Sequence, residues 1–421
     1  MARAARAALA EARRAGAHFQ LNSSLRAEPP EVTLARARAV AAQLGVTRVT
    51  EITRLDWAGV PVYASIRPDA LPGSLCVNAG KGITPLEAQV GAYMEAIEYA
   101  FAEYGRSRLR VVRATPRDVL DGRERPDAIL DFCPVMGAEI ALDAEMACIE
   151  AEDVVTDERW LVPAELVFLP TPAHIGPRYF GSNSNGLASG NTLLEATVHA
   201  LAEVIERDLC SFQSVEDRSA LVEPESLPPP ASEIARSLAP KGLELHVRSL
   251  KNEFGLPFFA AAVAEPEGFD PVFVSAGFGC HPARRIALVR AVCEAFQSRL
   301  SFIHGGRDDL TERHARFEGW PAKRRARYAS RLLAKFKGGR RRIRFERTDD
   351  HERELDNLEA AQRVMLAALA RNGFRRVLRV RYTPADFPLQ VVRVLVPGLE
   401  CFTETSARVG PRLRDYVRDR L

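Results

Sequence analysis

Two periods of apolar residues alternate along the chain. Over residues 31–45 the apolar positions Val32, Leu34, Ala35, Ala37, Val40, Ala41 and Leu44 fall on one face of a helix, and Gly45 ends it. Shorter β-type runs follow at Val46–Ile52 and Val60–Ile66. A second helix opens at Thr84-Pro85, with threonine suited to the cap and proline to the first turn. The runs Val111–Ala114, Glu139–Ile149 and Trp160–Val162 read as strands. A helix from Thr192 to Phe212 comes next, approached by the small, polar loop Gly181–Gly190, whose backbone can come close to a ligand. Pro224–Pro230 reads as a surface connection, and Leu243–Leu250, Phe258–Ala264 and Val272–Phe278 as strands. Helices over Arg284–His304 and Glu354–Arg371 and strands over Arg375–Arg381 and Gln390–Val396 complete the pattern. Interleaving of this kind predicts an α/β or α+β layered fold.

Two of the predicted helices are near copies. Gly82–Glu98 and Gly190–Glu206 align without a gap at a shift of 108 residues, with ten of seventeen positions identical, among them Glu87/Glu195, Glu95/Glu203 and Glu98/Glu206. A fainter third copy places Ala287, Ala291, Glu294 and Gln297 on Ala196, Ala200, Glu203 and Glu206. The core is therefore predicted to be internally duplicated, each copy being a turn and a helix that retains acids or amides at fixed places.

Composition changes the picture little. The chain has 421 residues, 47% hydrophobic and 27% charged, enough for a large core. A net charge of +3 is too small to argue for nucleic acid. Seven cysteines are scattered, odd in number and never form C-x-x-C, so neither a disulfide framework nor a zinc knuckle is indicated and a reducing cytoplasm is expected. No apolar run is long enough to span a membrane. The Ala/Arg-rich stretch Met1–Gly16 contains Glu11 and reads as a plain helix or frayed leader, not a targeting signal. From Arg313 to Arg347 the chain is strongly basic. That segment reads as a solvated helical hairpin or a docking surface for an acidic peptide; nucleic acid is not expected, because its aromatics are limited to Phe317, Trp320, Tyr328 and Phe336.

The repeated acids carry the chemistry. On a helix, Glu195, His199, Glu203 and Glu206 fall within an arc of about 80° beside the apolar stripe Leu194, Val198, Leu201, Ile205 and Leu209. Carboxylates at the margin of a buried face need cations. Hard oxygen ligands with no nearby cysteine favour Mg²⁺, which completes its shell with water and phosphate oxygens and so points to a nucleotide. The third helix adds Arg290, Glu294, Gln297 and Arg299, suited to phosphate or base contacts. Neither a P-loop nor a dinucleotide-binding glycine motif is present, and Gly80-Lys81-Gly82 is too short for either. Ser182, Ser184 and His199 do not make a convincing nucleophile triad, and His199 is read as a supporting or core histidine rather than a ligand.

Taken together, Gly80-Lys81-Gly82, Glu95-x-x-Glu98, Asn185–Gly190, Glu195, Glu203, Glu206-Arg207-Asp208, Glu294–Arg299 and Arg307-Asp308-Asp309 resemble the YcaO family over about residues 70–400. That resemblance implies a YcaO-like fold that binds ATP between helices through Mg²⁺ and phosphorylates a peptide amide oxygen. It assigns Glu95, Glu98, Glu203 and Glu206 to Mg²⁺, and Lys81, Ser182, Asn185, Glu195, Arg207, Gln297 and Arg299 to nucleotide. No catalytic side chain is implied. Two positions depart from the family pattern: Gly91 where a serine is usual, and Tyr99 where an arginine is usual. Val396–Glu400 and Arg26–Leu34, with an end at Tyr416–Leu421 that is not proline-rich, are similar to members that work beside a TfuA protein and form thioamides.

The resulting expectation is an N-terminal segment over 1–70, an ATP-binding core over 71–310, a basic insertion over 311–350 and the rest of the core over 351–421. Its expected activity is ATP- and Mg²⁺-dependent activation of a backbone amide in a peptide or protein, followed by sulfur insertion with a TfuA-like partner. Azoline formation at Cys, Ser or Thr of a precursor peptide is the alternative within the family, and a noncatalytic ATP-binding accessory protein the alternative outside it. A separate leader-binding or sulfur-donor protein and a homodimer follow from the resemblance alone.

Overall fold

A computed structural model describes residues 19–21, 23–265, 270–310 and 315–420; Met1–Gly16 lies outside them. A short hairpin, β1 (Phe19–Gln20) and β2 (Leu25–Arg26), leads into helix α1 (Pro30–Ala41), which a 3₁₀ turn extends to Leu44 before Gly45 turns left-handed at φ +80°. A three-stranded antiparallel sheet follows, in the order β3 (Arg48–Glu51), β4 (Val62–Ile66), β5 (Val77–Lys81). Helix α2 (Pro85–Ala102) leaves directly from β5.

The second sheet runs β6 (Val112–Ala114), β7 (Met146–Asp153), β15 (Leu378–Arg381), β16 (Gln390–Leu395), β9 (Leu187–Gly190), with β8 (Arg159–Pro163) also paired to β7. Helix α3 (Leu193–Val215) follows β9. The third sheet runs β13 (Ser275–Cys280), β12 (Phe258–Ala264), β11 (Glu244–Ser249), β10 (Ala220–Val222), β14 (Arg342–Ile343), and helix α5 (Arg284–His304) follows β13. Among the described residues the remaining α-helices are α4 (Ala231–Leu238), α6 (Ala322–Lys337), α7 (Leu358–Arg371) and α8 (Pro411–Arg418). Every named strand pair is antiparallel except β10 with β14. The arrangement is α+β, in layers, as the interleaved periods predict.

The repeat is physical. In all three copies a strand hands over to a long helix that packs back on it, and glycine permits the close approach. A Cβ on Gly80 would lie 2.2 Å from the Ala88 carbonyl oxygen, and one on Gly279 would lie 2.1 Å from that of Ala287. Each glycine stands eight residues before its alanine, so the first and third copies share one strand–helix register. Gly82 and Gly190 likewise meet Ala88 and Ala196 backbone nitrogens. The first two helices also share a cap: Thr84 accepts from the Glu87 N–H at 3.2 Å, and Thr192 from the Glu195 N–H at 3.1 Å. The third copy has lost it. At its start His281 Nδ1 accepts from the Ala283 N–H and Asp350 from the Arg284 N–H. On α5, Ile286, Leu288, Val292, Phe296 and Leu300 are buried, each worth about 1.5–3 kcal/mol.

Several expected boundaries move. Residues before Met146 are turns, so β7 begins later than Glu139. Val272 lies in a 3₁₀ turn at Pro271–Phe273, capped by Asp270, and the strand starts at Ser275. Leu187–Gly190 is buried strand rather than loop. The basic segment is more than a hairpin: after α6, β14 extends the third sheet and Phe345 enters the core. No helix among the described residues is long and apolar enough to cross a membrane, and all seven cysteines are free.

Candidate nucleotide and metal site

The three copied helices converge on a cavity of about 480 Å³. Each presents two positions one turn apart to it: Glu95 and Glu98 from α2, Glu203 and Glu206 from α3, Glu294 and Gln297 from α5. The internal repeat therefore builds the cavity wall itself.

Most of these acids lack a cation of their own. Glu95 accepts from the Ala79 N–H at 2.9 Å, Glu98 from the Ser189 hydroxyl at 2.5 Å, and Glu206, only 3% exposed, from the Cys280 N–H at 3.0 Å. Among the described residues, Glu294 is the one of these acids in an ion pair, with Lys81 at 2.5 Å. Burial, reinforced by Glu95 and Glu203, pushes the Glu98 carboxyl up to about 8 against the Ser189 hydrogen bond. Burial and Glu294 push Glu206 up to about 7. Glu95 and Glu203 are raised as well, chiefly by burial, although Arg307 opposes the first and Arg207 the second. Glu294 is lowered, because Lys81 and Arg207 outweigh its burial. A cluster of acids that repel one another in a cavity is destabilising until cations enter.

Lys81, Arg26, Arg207, Arg290 and Arg307 line the same cavity, Lys81 bonded to Glu294 and Arg26 to Glu195. Burial works against the Arg207 charge, yet Glu206, Glu294 and Glu203 hold its pKa above the ordinary value. His199 is kept neutral by burial and by Arg290, Arg26 and Lys81 around it, and its Nδ1 has no hydrogen-bond partner. Tyr99 is raised to about 12 by burial and by Glu95. Carboxylates and cations thus line one cavity together, as a metal–polyphosphate requires.

A family model described as YcaO cyclodehydratase, ATP- and Mg²⁺-binding, matches residues 79–400. The chain belongs to the YcaO family. A protein of Methanothermobacter thermautotrophicus, named only as uncharacterized, is 34% identical over 405 residues, covering 92% of this chain and 98% of its own. The "uncharacterized protein in tfuA 3'region" of Rhizobium leguminosarum bv. trifolii is 31% identical over 391 residues, covering 89% and 88%. In structure the chain resembles YcaO from Methanopyrus kandleri, solved with AMPPCP and Mg²⁺, at a TM-score of 0.72 and 24% identity over 93% of this chain and 97% of that one.

ATP and Mg²⁺ are thus the cofactors of this YcaO protein, and the cavity residues suit them. Among the described residues no three Asp, Glu, His or Cys side chains group closely enough to hold a metal ion by themselves. An ion here would take its remaining ligands from water and phosphate, as Mg²⁺ commonly does.

Of the residues expected from sequence, Lys81, Glu95, Glu98, Glu195, Glu203, Glu206, Arg207 and Gln297 line the cavity. Gln297 donates to the Ala79 carbonyl. Glu195 is 2% exposed and already engaged by Arg26, the Ala27 N–H and Asn191, so it positions Arg26 at the cavity rather than presenting free oxygens. Three expected residues lie elsewhere. Arg299 is 3% exposed and bound to Asp56 at 2.8 Å and Glu265 at 3.1 Å, which makes it a buried structural cation. Ser182 bonds to Thr171, and Asn185 stands in the turn before β9 with its N–H on Asn183. Arg290 and Glu294, which the third helix offers for phosphate or base contacts, line the cavity as well, and cavity residues given no contact role by the sequence include Arg26 and Arg307. The third repeat is the signal for Glu294, which occupies the place of Glu203; Arg26 carries no such signal, since a short hairpin brings it in. Of the two family departures, Gly91 packs on the Gly80 Cα, leaving little room for a serine, and Tyr99 lies against the cavity wall.

Proposed function

We propose that this YcaO protein activates a backbone amide of a peptide or protein by ATP-dependent O-phosphorylation and, with a TfuA-like partner, replaces the amide oxygen by sulfur. The observation that carries the reading is one cavity lined by Glu95, Glu98, Glu203, Glu206 and Glu294 from three repeated helices together with five cations. Glu95, Glu98, Glu203 and Glu206 would hold Mg²⁺, with Arg207, Arg290 and Lys81 placed to offset phosphate charge. Bound ATP and Mg²⁺ supply the phosphoryl group and the charge stabilisation that turn an amide oxygen into a leaving group. The protein's own work is positioning: β5 and β9 hold α2 and α3 in register, and the Glu195–Arg26 pair at 3.1 Å fastens the N-terminal hairpin over the cavity. No side chain is required as a nucleophile, which suits the buried or half-buried cysteines.

The thioamide branch is supported by the relative encoded in a tfuA region. Azoline formation is the second reading, favoured by the description of the family model as a cyclodehydratase. The test is the mass of a candidate peptide after incubation with the protein, a TfuA-like partner, Mg-ATP and a sulfur source. A mass increase from exchange of oxygen for sulfur supports the proposal, and a decrease from loss of water supports azoline formation. Mg-dependent ATP binding with no change in any peptide would leave the accessory reading standing.

A further inference from the structure

The basic segment presents a second concavity, of about 540 Å³, beside Trp320 and along one face of α6, walled by Lys323, Arg324, Arg327, Tyr328 and Arg331. Spacings of three and four residues place Arg324, Arg327, Tyr328 and Arg331 on a single helix face. From Arg324 to Arg331 that stripe runs about 10 Å. Its lining contains no acid. Lys323, Arg324, Arg327 and Arg331 are exposed, and none has an ion pair to a described residue. Two of the other three cations of α6 are paired: Arg325 bonds Asp270 at 2.5 Å and Lys337 bonds Glu244 at 2.6 Å. Unlike those two, the stripe is left open.

Its position is informative. Phe302 and Leu310 line the nucleotide cavity and also belong to the cluster that holds Phe317, Trp320 and Tyr328. One cluster of aromatic and aliphatic side chains therefore joins the basic groove to the cavity. We propose that the groove docks an acidic segment of the polypeptide substrate, holding the chain beside the nucleotide cavity. The inference rests on the peptide-modifying reading of that cavity.

Nucleic acid fits the groove less well. The face of Trp320 is covered by Arg324 at 3.7 Å, and its contacts with Phe317 and Tyr328 are edge-on at 5.3 and 5.7 Å. Those rings are consumed in an internal stack and do not offer a platform for bases. Four cations on one helix turn and its neighbour match a few carboxylates of an extended segment, whose residues advance about 3.4 Å each.

The experiment is fluorescence anisotropy of the full-length protein with a fluorescein-labelled peptide of about six acidic residues, long enough to extend past both ends of the stripe. Parallel arms use a lysine peptide of equal length and a single-stranded oligonucleotide. The variants are Arg327→Glu/Arg331→Glu, and Arg236→Glu on α4 as a remote charge control. Each is also titrated with ATP and Mg²⁺. The expected result is binding of the acidic peptide alone, weakened about tenfold or more by the double reversal and by added salt, and unchanged by Arg236→Glu. ATP affinity should stay the same in all of them, which shows the variants folded. Absence of peptide binding, equal binding by the double variant, or preference for the oligonucleotide overturns the proposal. Loss of ATP binding in the unmodified protein would instead overturn the reading of the cavity, so the two failures are distinguishable. Should the double reversal fail to fold, Arg327→Gln/Arg331→Gln replaces it, and an unchanged affinity there overturns the proposal as well.

Discussion

Replacing Glu98 by glutamine should stabilise the metal-free protein. The Glu98 carboxyl lies between α2 and β9, with Ser189 donating to it and Glu95 and Glu203 as charged neighbours. Its pKa rises from 4.5 in the free group to about 8 in the fold. A folded pKa above the unfolded one gives a contribution that is complete below pH 4.5 and is lost as pH climbs to about 8. At pH 7 the loss is on the order of 3 kcal/mol, and solvent in the cavity reduces it to about 1–3 kcal/mol. Glutamine keeps an oxygen for Ser189 and has no charge to bury. In chelator, the melting temperature of Glu98→Gln should therefore match that of the wild type near pH 5 and exceed it by a few degrees at pH 8. Saturating ATP and Mg²⁺ should reverse the order, since only the wild type gains the binding free energy. A variant that melts lower at every pH, or by an offset independent of pH, would refute the electrostatic account of this wall.

Three further outcomes follow from the packing. Gly80→Ala and Gly279→Ala, whose new methyl groups would collide with Ala88 and Ala287 carbonyls, should each destabilise by about 3 kcal/mol in denaturant titrations; a loss under about 0.5 kcal/mol would mean the helices are not held that close. Arg299→Ala should cost about 3 kcal/mol or more by stranding Asp56, with ATP affinity unchanged at a temperature where the variant is folded; a large affinity loss there would return Arg299 to the nucleotide. His281, held neutral at a pKa of about 3 by burial and Arg290, lowers stability as pH falls below the unfolded histidine value of 6.5. His281→Asn retains an acceptor for the Ala283 N–H, so relative to the wild type it should gain about 2 kcal/mol between pH 7 and 5, and a constant difference would contradict the assignment.

Local chemistry was legible where it is repeated. The Thr84 and Thr192 caps, the alanine positions facing glycine and the acids one turn apart all stand in the sequence at fixed intervals, and the structure puts those helices around one cavity. Position in three dimensions was harder to read than residue type. Arg299 has the right chemistry for phosphate, but Asp56 lies 243 residues away in sequence and claims it. Alternation over Glu139–Glu145 imitates a strand, yet Gly137 turns left-handed at φ +83° and Asp143 reaches out to Arg117 at 2.6 Å. At Val272, the preceding proline and the Asp270 cap favour a 3₁₀ turn over extended chain. The strand β14 is two residues long, too short for a period, and only its pairing with β10 reveals it. Arg26 reaches the cavity because Glu195 holds it there, a contact no local pattern announces.

The central claim is that the repeated acids hold Mg²⁺ for ATP. Calorimetric titration of ATP into the purified protein, with and without Mg²⁺, beside the Glu203→Gln/Glu206→Gln variant, tests it most directly. The account predicts tight binding that requires both the metal and the two acids. Equal ATP affinity in a folded variant, or binding indifferent to Mg²⁺, would contradict it.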